Sequence, residues 1–65
     1  MFVVYRYGKY GVADIQYVRL RKHGRLEWTR FKHSASKFRD RARAEAFARG
    51  YHSVRNDEDL VVERA

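Results

Sequence analysis

Two runs that alternate apolar with polar side chains, residues 17–21 and 25–29, flank Lys22, His23 and Gly24. No other stretch constrains the fold as tightly. Alternation over four to eight residues marks half-buried strands, and so short a connection makes them a hairpin. A two-residue turn at His23 and Gly24 would oppose Leu20 to Glu27 and Val18 to Thr29, mixing polar with apolar residues on each face. A three-residue loop opposes Leu20 to Leu26, Val18 to Trp28 and Arg19 to Glu27. That loop, a type I turn closed by a left-handed residue, needs glycine where Gly24 stands. It sorts Val18, Leu20, Leu26 and Trp28 to one face, and Tyr17, Arg19, Arg21, Arg25, Glu27 and Thr29 to the other. A slip of one residue would invert a whole strand, so the pairing is sharply specified.

The rest of the chain follows from local signals. Residues 2–7, dense in β-branched and aromatic types, read as a first strand ending at Gly8. Residues 8–14 read as a connection, and 15–21 and 25–31 as the second and third strands. Asp40 is a good helix N-cap, able to accept from the amide of Ala42 or Arg43. Ala42, Ala44, Ala46 and Ala48 favour helix, and Gly50 is the expected stop. Ala44, Phe47, Ala48 and Tyr51 fall on one stripe that faces the core, with Arg41, Glu45 and Arg49 opposite. Phe38 is expected to fold over the edge of the same core. An acidic turn, residues 56–59, precedes a last strand at 60–64. The reading is a single α+β domain, residues 1–65: a small antiparallel sheet, β-β-β-α-β along the chain, with one helix packed on one face.

Alanine-rich residues 35–48 and the closing Leu60, Val61, Val62 and Glu63 resemble the second half of small proteins encoded by bacteriophages and other mobile elements. Those pair a β-hairpin with such a helix and a final strand, and many act on host proteins, defence systems or nucleic acids. Trp28 in the third strand, then Phe38 and the alanine-rich helix, is also similar to the three-strand-plus-helix DNA-binding domains of phage integrase arms and plant ethylene-response factors. There the sheet enters the major groove. This chain departs from that pattern in having Lys37 before Phe38, where those domains favour glycine, and in adding a fourth strand. The resemblances imply a phage-encoded protein acting in the host bacterial cytoplasm.

Charge bounds the partner. Fifteen Lys and Arg oppose eight Asp and Glu, leaving +7. Residues 1–52 carry thirteen of the cations and only four of the carboxylates, so the positive field arises there. Catalysis finds no foothold. There is no cysteine, and His23, His33 and His52 show no metal-ligand spacing. Ser34, Ser36 and Ser53 neighbour histidines in sequence alone, which says nothing about triad geometry. No glycine-rich phosphate loop is present, no cofactor is implied, and no run of residues is long and apolar enough to span a membrane.

The expectation is a non-enzymatic binding domain that meets an anionic partner through its exposed sheet face. Tyr17, Arg19, Arg21 and Arg25 share that face, with Arg30 and Lys32 at its far end. Arginine forks grip phosphate oxygens and tyrosine rings receive bases, which makes nucleic acid the first choice. Arg39 and Arg43, near the helix N-terminus, are secondary candidates. Tyr5 and Tyr7 are others, outward if Phe2 and Val4 face the core and buried if the strand is flipped. Two alternatives remain: a counter-defence protein that sequesters a nucleotide signal, and an inhibitor that binds a host protein directly. A homodimer through an edge strand is compatible with so small a core.

Overall fold

The computed structural model describes residues 1–54 and 60–65, with residues 52–54 described by backbone alone. The strands are β1 (Phe2–Gly8), β2 (Gly11–Leu20), β3 (Leu26–Thr29) and β4 (Val61–Arg64), and the helix is α1 (Arg41–Val54). They form one antiparallel sheet in the order β3-β2-β1-β4, with α1 on one face. The expected acidic turn lies outside the described residues.

The central hairpin has the predicted register, Val18 opposite Trp28, Arg19 opposite Glu27 and Leu20 opposite Leu26. The Arg21 amide donates to the Arg25 carbonyl at 2.7 Å, leaving three residues in the loop. Its conformation differs from the expected type I form, because His23 (φ 64°) is left-handed as well as Gly24 (φ 73°). The first connection is shorter than residues 8–14. Gly11 adopts φ 70°, so the chain reverses over Lys9 and Tyr10, and β2 begins at Gly11 itself. The pairing shifts between Tyr7 and Gly8, which leaves Val12, Ala13 and Asp14 as a bulge in β2. Gly8 leaves room there for side chains: an added Cβ would collide with the ends of Asp14 and Gln16.

Val4, Val18 and Ala44 form the buried core, with Phe2, Leu26, Trp28, Phe38, Phe47 and Val62 packed around it. The Asp40 carboxylate caps α1, accepting from the Arg43 amide at 2.8 Å. The helix does not stop at Gly50 but continues to Val54. Gly50 is not among the residues with positive φ. Tyr51, one residue on, meets Trp28 at 5.8 Å and Phe47 at 6.4 Å, so packing keeps the helix going past its weakest residue.

The least expected feature lies on the other face. β3 ends at Thr29, short of the expected residue 31, and the Thr29 hydroxyl accepts the Phe31 amide, bending the chain out of the sheet. One 3₁₀ turn follows at Lys32–Ser34. Lys32 Nζ then donates to Glu63 Oε1 at 2.9 Å, reaching β4 at the opposite edge of the sheet. Glu63 pairs with Val3, so both point away from α1. The chain next passes back between β1 and β2. The Ser36 amide donates to the Val18 carbonyl, the Ser36 hydroxyl accepts from the Leu20 amide, and Phe38 bridges Phe2. Residues 30–35 thus form a strap beneath the sheet, and residues 36–38 fill the gap between the ends of β1 and β2. The strap explains why Val3 (0 % exposed) and Tyr5 (8 %) are buried on the side without a helix. The β1 orientation is the one with Phe2 and Val4 toward the core. The expectation of an outward Tyr5 is nevertheless corrected, because the strapped face buries it, while Tyr7 stays exposed.

Candidate nucleic-acid interface

The strap divides the face opposite α1. Alternation along β1 and β2 places Tyr5, Tyr7, Ile15, Tyr17 and Arg19 on that face. Tyr5 makes edge contacts with Tyr7 and Tyr17, each at 5.6 Å, so the three rings form one aromatic cluster. The hydroxyl of Tyr5 is pushed up to about 12, first by its hydrogen bond with Tyr7 and then by burial. Tyr5 is therefore the buried base of the cluster, and Tyr7 and Tyr17 are its accessible rims.

Next to Tyr17 opens a recess of about 580 Å³, lined by Tyr10, Val12, Ile15, Tyr17 and Arg30 among others. It occupies the space alongside the first half of β2, where β3 provides no neighbour because it pairs only with Tyr17–Leu20. A second recess, about 570 Å³ and more open, is lined by Arg30, Phe31, Lys32, His33, Lys37 and Ala65. Among the described residues no Asp or Glu side chain lines it. Phe31 is 61 % exposed and lies 5.6 Å from the His33 ring. Arg30 lines both recesses.

The candidate residues from the sequence are thus spread over three places. Tyr17 and Arg30 meet at the first recess, and Arg30 and Lys32 at the second. Lys32 is held by Glu63, which raises its ammonium pKa. Arg19 is half-buried on the strapped face. Arg21 and Arg25 are exposed at the loop end of the central hairpin, where Arg21 approaches the Glu27 carboxylate at 3.7 Å. Five strand steps of about 3.3 Å separate Arg25 from Arg30, so the hairpin end and the recesses are about 16 Å apart. Arg39 is exposed before the helix cap, and Arg43 lies 3.7 Å from Asp40.

Phe31 and His33 were not among the sequence candidates. The signal was present, since Arg30, Phe31, Lys32 and His33 interleave aromatic and basic side chains, but their place beneath the sheet depends on the strap. Arg6 is a cation turned to the helix face: its Nε donates to Gln16 Oε1 at 2.9 Å and its guanidinium sits 3.7 Å from the Trp28 ring centre. It supports the core side of the sheet.

Among the described residues there is no group of three or more His, Asp or Glu that could hold a metal ion, and no helix long and apolar enough to cross a membrane. No family model matches the chain, and comparison with curated proteins and with solved structures returns no match.

Proposed function

We propose that this chain is a non-enzymatic domain that binds nucleic acid. Phosphates would be held in the recess of Arg30, Lys32, His33 and Lys37, with Phe31 and the tyrosines beside it to receive bases. The observation that carries this reading is the double position of Arg30, which joins a recess lined by tyrosines to one lined by cations. Guanidinium forks bind phosphate oxygens two at a time, and aromatic rings beside them are the usual partners of unstacked bases. A net charge of +7 on 65 residues adds long-range attraction for a polyanion. The setting we read for it is the cytoplasm of a bacterium infected by the encoding phage.

Fluorescence anisotropy of a labelled oligonucleotide, titrated with the protein at several salt concentrations, tests the reading. Three to five phosphate contacts to a single strand predict a slope of log K against log salt between about −2 and −4. A flat salt dependence, or no binding at micromolar protein in low salt, overturns it.

A second reading rests on the β1–β2 hairpin tip, where Tyr10 and Val12 are 73 % and 78 % exposed. Tyrosine is one of the residues most enriched among the anchors of protein interfaces. Recovery of one host protein from nuclease-treated bacterial lysate, lost on Tyr10→Ala, would favour it.

A further inference from the structure

We infer that the nucleic acid is taken as a single strand, with one unpaired base in the Tyr10–Tyr17 recess and the adjoining phosphates in the Lys37 recess, Arg30 spanning the two. This rests on the nucleic-acid reading and sharpens it.

Two features of the fold set single strand against duplex. A three-stranded sheet enters a major groove only if its free face is regular and uncovered. Here the strap, residues 30–35, crosses that face, and the bulge at Val12–Asp14 breaks its pleat. Two recesses open beside the strap. Bases in a duplex are stacked and paired, and the helix offers side chains their edges within grooves. It has no free ring face to insert into a hollow. A single strand does, because its bases splay outward and each carries a π-face.

The recess is made for such a ring. At about 580 Å³ it falls within the range of small-ligand sites, and its lining combines two tyrosines with Val12, Ala13 and Ile15, one acidic residue, Asp14, and Arg30. Tyr17 is backed by Tyr5 at 5.6 Å, so one wall is held in place before any ligand arrives. Phe31 lies in the second recess, on the far side of Arg30. It offers a second stacking surface for the next base along the same strand.

The test compares one labelled twelve-nucleotide strand with the same strand annealed to its complement, at one salt concentration. The single strand is expected to bind at least tenfold tighter. Tyr10→Ala should lose about 5- to 150-fold of single-strand affinity, the usual cost of removing one stacking ring, while leaving the salt slope unchanged. Tyr10 is largely exposed, so this variant keeps the fold. Tyr17→Leu, checked for folding by circular dichroism, should do the same. Duplex binding as tight as single strand overturns this inference and leaves the nucleic-acid reading standing. So does a ratio unchanged in both tyrosine variants. If neither form binds, both are overturned.

Discussion

Val3 provides a direct test of the strap. It lies on the face away from α1, where a bare four-stranded sheet would leave it in water, yet it is 0 % exposed. Val3→Ala removes two methyl groups, about 1.6 kcal/mol of transfer free energy at 0.8 kcal/mol for each carbon. The strap is tied on both sides of the site, by Lys32 to Glu63 and by Ser36 to Val18 and Leu20, so it closes only partly over the gap. The cavity left behind raises the cost to about 2–3 kcal/mol. In a domain of this size, whose whole stability is on the order of 3–5 kcal/mol, that is half or more of the total. Urea denaturation followed by circular dichroism should show a midpoint far below that of the parent with an unchanged slope, and the melting temperature should fall by roughly 10–20 °C. A cost under about 0.5 kcal/mol, ordinary for a surface position, would refute the buried strap.

Other perturbations have equally definite outcomes. Asp40→Ala removes the cap on the Arg43 amide and should cost about 1 kcal/mol, read from the same urea curves. Gly8→Ala drives a Cβ into the buried Asp14 carboxylate and should cost about 1–3 kcal/mol, with a smaller loss when Asp14→Gly is already present; additive losses would contradict the contact. Tyr5 stays neutral in the fold up to about 12, whereas unfolded tyrosine ionises near 10. Its contribution to stability is therefore intact below about pH 10 and is lost as pH rises toward 12, at most about 3 kcal/mol in all. Lys32, raised by Glu63, acts in the same direction. Absorbance at 295 nm should show a phenol titrating well above the usual tyrosine range, and Tyr7→Phe should bring it back toward 10.

What the sequence disclosed and what it hid divide along physical lines. The central hairpin was legible because each of its residues obeys one local rule, alternation about a glycine that closes the loop, and the observed pairs follow it. The helix was legible at its start, where Asp40 makes the expected bond, and not at its end. Gly50 has a stop's low propensity, but the ring contacts of Tyr51 outweigh it, and one of these, Trp28, lies 23 positions upstream. The strap carries no period at all. It is held by a hydroxyl at Thr29, a lysine reaching a glutamate 31 residues away, and Ser36 wedged between two strands. None of these contacts leaves a local pattern, and the same strap buries Tyr5 and regroups the cations around Arg30. Of the hairpin arginines Arg19 lies within its expected strand, whereas Arg21 and Arg25 flank the loop turn and Arg30 falls beyond β3, and the recesses that join Arg30 to tyrosines on one side and to Lys37 on the other arise from tertiary structure alone.

A chain of 65 residues is well suited to residue-by-residue NMR mapping, and that measurement bears most directly on the claim that the recesses flanking Arg30 hold the ligand. A single-stranded oligonucleotide titrated into ¹⁵N-labelled protein should shift the backbone amides of residues 10–17 and 30–37, with little change along α1 or at Lys22–Gly24. Shifts confined to the hairpin loop at residues 21–25, or to the helix arginines, would contradict it.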